Sequence, residues 1–218
     1  MKRIEDALLY GILDTGYLAD AAFADTTRRL IDSGVDVLQL RAKDREEEEI
    51  QRLGETIIGL TEPAGVPLLI NDHPELVPAI GAQGAHVGQD DLAVDNARWR
   101  AGRALADEVP PPIIGKSTHS IVQALAAQEE GADYIGFGPL FATPTKPGRP
   151  AIGLEEVARA QALIRVPVFC IGGIKRENLE LVIAAGARRV VIVSGLLQAD
   201  EIEAYARDCR MLLAAARR

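Results

Sequence analysis

Short, nearly uninterrupted apolar runs alternate along the chain with longer stretches in which apolar residues recur every three or four positions. This is the rhythm of buried strands and amphipathic helices. Four times a helical stretch ends at a glycine that an apolar run follows at once: Gly34 before Val35-Asp36-Val37-Leu38, Gly84 before Ala85-His86-Val87, Gly131 before Ala132-Asp133-Tyr134-Ile135, and Gly186 before Ala187-Arg188-Arg189-Val190. Each glycine suits the left-handed residue that closes a helix. Between these come apolar runs introduced by Val66-Pro67, Val109-Pro110 and Val166-Pro167, where proline stops a helix and needs no ladder hydrogen bond. The two strand types alternate at about 50 residues per pair, which reads as a βαβα unit repeated four times.

Strands are therefore expected over residues 8–13, 35–41, 68–72, 85–89, 113–117, 134–139, 168–172 and 190–194, with helices among others over 46–60, 120–130, 154–164 and 200–216. Eight parallel strands with intervening helices predict a single (β/α)8 TIM barrel, one domain over residues 1–218. An open doubly wound sheet would want a GxGxxG turn after the first strand, and the chain has Leu13-Asp14-Thr15-Gly16-Tyr17-Leu18 there instead.

Composition narrows the partners. With 48% hydrophobic residues in 218 the chain can bury one sizeable core, while its formal net charge of −8 argues against nucleic acid or an anionic membrane. Any phosphate chemistry must then rest on a few focused cations. Cys170 and Cys209 have neither metal-type spacing nor a disulfide framework and read as buried thiols. The opening MKRIEDALLYGILD has too short an apolar run for a signal peptide, and no stretch nears the roughly 20 apolar residues that cross a bilayer. The expectation is a soluble, cytoplasmic protein with small-molecule substrates, compatible with a homo-oligomer.

Barrels of this kind build their sites at the C-terminal ends of the strands, so the polar residues closing each apolar run become the candidates. Gln39, Arg41 and Lys43 share one side of the second strand if it stays regular that far, and two cations with an amide can hold a diphosphate. Asp72 and Asp91 end the next two strands, where two carboxylates can contribute to an octahedral Mg2+ site or simply cap the following helices. Gly172-Gly173 and Ser194-Gly195 end the last two strands, the usual place for a phosphate held by backbone N–H groups, or for tight turns alone. The long loop 141–152 carries Thr143, Thr145, Lys146 and three prolines and reads as a lid or binding loop. His86, inside the fourth strand, reads as a core histidine; His119, near a helix start, is either a cap neighbour or an acid/base group.

Taken together, Gln39-x-Arg41-x-Lys43, Asn71-Asp72, His86-x-Gly88-Gln89-x-Asp91, Gly115-x-Ser117-x-His119, the run DYIGFGPLFATPTKPGRPAIGLE and Ile171-Gly172-Gly173-Ile174 resemble the thiamin phosphate synthase family over nearly the whole chain. The most specific marker is Thr143-Pro144-Thr145-Lys146. The resemblance implies that Gln39, Arg41, Lys43, Asn71, Ser117 and Lys146 hold an aminopyrimidine diphosphate, with Arg41, Ser117 and Lys146 the catalytic group. It implies that Thr143, Pro144, Thr145, Gly173, Val193 and Ser194 hold a thiazole phosphate, and that Asp72 and Asp91 bind Mg2+. The implied reaction is a dissociative alkyl transfer that releases pyrophosphate and needs no protein nucleophile. The chain departs from the family pattern at Gly11 and Gly16 near the first strand and in a long stretch over residues 98–112. Two other readings compete: a thiazole tautomerase on the same barrel, which would make His119 central, and a catalytically silent phosphate-binding protein.

Overall fold

The computed structural model describes residues 1–89, 91–102, 110–142 and 150–217. Eight parallel strands close on themselves in chain order: β1 (Leu9–Asp14), β2 (Val37–Arg41), β3 (Leu68–Asn71), β4 (Gly84–Val87), β5 (Ile113–Thr118), β6 (Tyr134–Phe137), β7 (Val168–Cys170) and β8 (Val190–Ile192). Around them lie α1 (Phe23–Asp32), α2 (Glu47–Thr61), α3 (Val77–Ile80), α4 (Val94–Arg100), α5 (Ile121–Glu129), α6 (Val157–Leu163), α7 (Arg176–Ala184), α8 (Ser194–Leu197) and α9 (Ile202–Ala216). The predicted (β/α)8 barrel is the observed architecture. No described helix is long and apolar enough to cross a membrane.

The strands read as continuously apolar because each is buried on both faces, and alternation divides their residues between two cores. Tyr10, Ile12, Val37, Leu69, Tyr134, Phe169 and Val191 fill the inside of the barrel. Their neighbours Leu38, Leu40, Ile70, Val87, Ile135 and Cys170 face outward and pack with Leu30, Ile57, Ala124 and Val182 of the helices. Cys170 and Cys209 are buried free thiols, each pushed up to about 12 by burial. At the N-terminal end of the barrel the buried Asp36 carboxylate accepts from the N–H groups of Leu8 and Leu9 and pairs with Arg210 Nε at 2.9 Å.

Three of the four helix-closing glycines adopt the expected left-handed backbone, Gly34, Gly131 and Gly186. Gly84 does not. The left-handed residue that ends α3 is Gly81, with φ of 78°, and Gly84 opens β4. Its glycine is required for another reason: a Cβ there would stand 1.9 Å from the carbonyl oxygen of Ile113 on the neighbouring strand. Strand β2 begins at Val37 rather than Val35, and strands 3, 4, 6, 7 and 8 stop earlier than expected because the backbone leaves the sheet to build turns at the barrel mouth. Thus Ser194, read as the end of the last strand, opens α8.

Gly115 shows how tightly the interior is filled. A Cβ at this position would lie 2.0 Å from Cζ of Tyr134, whose ring is wedged edge-on against Tyr10 and Phe169. Gly115→Ala is therefore expected to lower stability by about 1–3 kcal/mol through overpacking. The corresponding drop in Tm, about 2–4 °C for each kcal/mol in a chain of this size, is measurable by calorimetry.

Candidate active site

At the C-terminal end of the barrel lies a cavity open to solvent. Barrels of this kind build their ligand sites at this end. One side of its wall is built by Gln39 and Arg41 of β2, Asn71 of β3, His86 of β4 and Ser117 of β5. The opposite side is built by Gly172, Gly173, Val193 and Ser194, which follow β7 and β8. Ile12, Ile171, Ile174 and Val191 add apolar surface to the lining. Register explains the polar set: Asn71 pairs with His86, His86 with Gly115, and Ser117 with Gly136. Inward-facing positions on successive strands thereby meet on one interior surface.

Gln39 is buried, and its Nε2 donates to the Tyr10 hydroxyl at 2.6 Å. Its Oε1 is also buried and has no hydrogen-bond partner among the described residues, an arrangement that costs about 1–3 kcal/mol unless a ligand supplies a donor. Beneath the cavity Tyr10 and Tyr134 share a hydrogen bond of 3.0 Å. Burial raises both phenols above their ordinary range, so both are neutral hydroxyls. His86 joins Tyr134 to Ser117, with Nδ1 2.8 Å from the Tyr134 oxygen and Nε2 2.9 Å from Ser117 Oγ. His119 also lines the cavity, and its Nδ1 is hydrogen-bonded to the Gly138 carbonyl.

The cations are less simply placed than alternation suggests. Strand β2 ends at Arg41, so Lys43 does not continue the Gln39–Arg41 face; it stands in the following turn, with Nζ 3.3 Å from Asp72 Oδ2. Arg41 is held by Asp14, with Nη1 2.6 Å from Oδ2 of a carboxylate only 2% exposed. That pairing was not visible in the sequence, although Asp14 closes β1 as the other candidates close their strands. Asp72 lies just past β3 in the left-handed region, with φ of 63°, and its N–H donates to the His86 carbonyl at 2.9 Å. Aspartate tolerates this conformation better than most residues; strain of this kind persists where the surroundings enforce it. Asp91 is exposed, and its Oδ2 accepts from the Gly88 N–H at 2.7 Å. Lys43, Asp72 and Asp91 are not on the cavity wall.

Gly172 and Gly173, with φ of 96° and 64°, turn the chain out of β7. A Cβ on either would stand 2.3 Å from Pro139 or 2.7 Å from Phe141, respectively, so the segment after β6 lies directly upon them. That segment is tied down by hydrogen bonds from Leu140 to Ile171 and from Phe141 to Gly172. Ile152 N–H, beyond the loop, donates to Pro139. Thr143, Pro144, Thr145 and Lys146 themselves lie outside the described residues, as do Asp90 and residues 103–109 of the long stretch after the fourth strand. Among the described residues no acceptor meets the backbone N–H of Gly173, Ser194 or Gly195.

Comparison with known proteins is decisive for the family. The model of the thiamine monophosphate synthase family matches residues 9–196. The chain belongs to that family. It is 46% identical over 191 residues to a thiamine-phosphate synthase of Thermus thermophilus, covering 87% of this chain and 88% of that one. Against a thiamine-phosphate synthase of Thermobifida fusca it is 41% identical over 218 residues, 99% and 96% of the two chains. Among solved structures, a thiamine phosphate pyrophosphorylase from Pyrococcus furiosus superposes with a TM-score of 0.84 at 26% identity, covering 97% of this chain and 98% of that one. Members of this thiamine monophosphate synthase family are transferases, and this chain is an enzyme of that kind.

Two residues of the site were not singled out by sequence reasoning, and a third was given a structural role only. Asp14 and Tyr10 sit in what reads as an ordinary first strand, and His86 reads as core. Their only sequence signal is a polar or hydroxyl group at an inward position of an apolar strand, which becomes informative once register is known. A separate group, Glu47, His73 and Glu75, brings three potential metal ligands within 4.8 Å of one another. It is partly exposed and lies 3.9 Å from Arg100.

Replacing Arg41 by methionine removes the partner of a nearly fully buried carboxylate, and breaking such a pair costs about 3–5 kcal/mol. Arg41→Met should therefore unfold at markedly lower urea concentration than the wild type, whereas Arg45→Met, which removes a more exposed pair to Asp20, should shift the midpoint little.

Proposed function

We propose that this enzyme joins 4-amino-2-methyl-5-(diphosphooxymethyl)pyrimidine to 4-methyl-5-(2-phosphooxyethyl)thiazole, or to its carboxylated precursor, giving thiamin phosphate and pyrophosphate. The observation that carries this reading is that the groups expected for the two substrates face each other across one cavity. Gln39, Arg41, Asn71 and Ser117 are on one side, and Gly173, Val193 and Ser194 on the other.

In this reading the aminopyrimidine lies against Gln39 and Ser117, and its diphosphate extends toward Arg41 and Lys43, with Asn71 and Lys146 completing the set. Arg41 supplies a planar fork of donors and Lys43 a point charge. The thiazole phosphate takes the unengaged N–H groups of Gly173 and Ser194, with Val193 against the ring and Thr143, Pro144 and Thr145 assigned to the same ligand by the family resemblance. The carbon–oxygen bond to pyrophosphate breaks with both electrons leaving on oxygen. The amino-substituted ring stabilises the methylene cation, and the thiazole nitrogen lone pair forms the new carbon–nitrogen bond. The apolar wall of Ile12, Ile171, Ile174 and Val191 keeps water from that cation, and the two-sided cavity fixes the acceptor's approach.

The chain's carboxylates fit a magnesium ion. Asp72 and Asp91 follow adjacent strands and offer hard oxygen ligands; Asp91 keeps Oδ1 available while Oδ2 is fixed by Gly88. When bound there, Mg2+ supplies positive charge against the diphosphate oxygens. Lys43, now paired with Asp72, would be shared between that carboxylate and the diphosphate.

Both substrates mixed with enzyme and Mg2+ should yield thiamin phosphate and pyrophosphate in equal amounts, detected by chromatography and a coupled phosphate assay. Folded protein that forms neither would sink the reading. Removing divalent ions with EDTA should abolish turnover. Asp91→Ala should raise the Mg2+ concentration needed for half-maximal rate by about tenfold or more while leaving the far-UV spectrum intact, and an unchanged Mg2+ requirement would reject Asp91 as a ligand.

A further inference from the structure

Four hydrogen bonds link Gln39 and Ser117 through the barrel interior: Gln39 to Tyr10, Tyr10 to Tyr134, Tyr134 to His86, and His86 to Ser117, at 2.6, 3.0, 2.8 and 2.9 Å. Each phenol has one proton, so the direction of the chain is determined at its ends. Tyr10 accepts from the Gln39 amide nitrogen and must pass its own proton to Tyr134. Tyr134 must then donate to His86 Nδ1, which is therefore the bare nitrogen of a neutral imidazole. His86 carries its proton on Nε2 and donates it to Ser117 Oγ. The Ser117 proton is left for the cavity, and so is the buried, unpartnered Oε1 of Gln39.

We propose that Tyr10, Tyr134 and His86 are positioning residues that polarise the cavity wall, presenting an acceptor at Gln39 and a donor at Ser117. This assignment of the ligand rests on the substrate reading above. A 4-aminopyrimidine carries a donor in its amino group and acceptors in its ring nitrogens. With the polarity described, the amino group faces Gln39 and a ring nitrogen faces Ser117. With the opposite polarity, in which the Gln39 amide is turned over and every proton in the chain reversed, the amino group would face Ser117, and the diphosphate arm would swing away from Arg41. The interior hydrogen bonds thus decide which way round the pyrimidine lies.

Packing holds the chain in place. The Tyr134 ring stacks on His86 at 5.5 Å, with Phe169 and Tyr10 edge-on to it. Gly115 leaves room for Tyr134, and Gly136, where a Cβ would stand 3.4 Å from Cε1 of His86, leaves room for the imidazole. Both hydroxyls are too deeply buried to exchange their partners for water.

The test reads the tautomer directly. In protein labelled with 15N-histidine and free of substrates, long-range 1H–15N correlation should show His86 as the Nε2–H form, its signal identified by its loss in His86→Gln. In Tyr134→Phe, which takes away the donor to Nδ1, that signal should move toward a mixture of tautomers. An Nδ1–H form in the wild type would overturn the proposal, as would a tautomer that ignores Tyr134→Phe. In kinetics, Tyr10→Phe and Tyr134→Phe should each raise KM for the aminopyrimidine diphosphate by about tenfold, one hydrogen bond's worth, and leave KM for the thiazole phosphate within a factor of two. Equal changes in both would mean a structural role only and would overturn the positioning role. Should Tyr134→Phe fold poorly, Tyr10→Phe and the wild-type tautomer still decide the question. Wild-type protein that shows the Nε2–H form but forms no product would overturn the substrate reading and the pyrimidine role with it. An active enzyme with the Nδ1–H form would overturn the proposal alone.

Discussion

Inside the barrel the rings of Tyr10, Tyr134 and Phe169 meet edge to face, with centroids 5.5 or 5.8 Å apart. Closing eight strands produces an interior that side chains must fill, and three aromatic rings fill it only if other inward positions carry almost nothing. Gly115 meets that requirement on β5, where a Cβ would strike Tyr134, and Gly136 on β6 leaves room for His86. The same rings bring two hydroxyls into an apolar space, where each must find a partner. Their partners are Gln39 and His86 on the cavity wall, so the packing of the core and the polarity of the site are one arrangement.

Electrostatics at the mouth follow a related logic. In a chain of net charge −8, Arg41 and Lys43 do not stand alone: Asp14 holds the first and Asp72 the second. A cation paired with a carboxylate is oriented before any ligand arrives, which lowers the ordering cost of binding an anion. On the far side the geometry is made by backbone. Gly172 and Gly173 let the segment after β6 pack upon the end of β7, so one strand end serves both as a wall of the cavity and as the seat of the loop that follows β6.

The barrel was legible in the sequence because its causes are local and repeated. An apolar run of four to six residues, a helix closed by glycine, and a proline ahead of the next run are each short-range signals, and their four-fold recurrence left little alternative. Errors fell where a short-range signal had two possible causes. Gly84 resembles a helix-closing glycine, yet it is required by the approach of Ile113 on the neighbouring strand, a contact between residues far apart in sequence. Lys43 shares the alternation of Gln39 and Arg41 on paper, but the strand stops at Arg41 because the chain turns toward α2.

By itself the sequence determined the fold class, the end of the barrel where polar residues gather, and most of the candidates there. Those depend on hydrophobic period and on which residue follows each apolar run. Only the tertiary structure decided that Asp14 holds Arg41, that Asp72 sits in a left-handed turn against Lys43, and that Tyr10, Tyr134 and His86 join Gln39 to Ser117. Each of these is a contact between different strands, set by the register and curvature of a closed sheet, and the position of a residue along its own strand carries no record of what lies across the barrel.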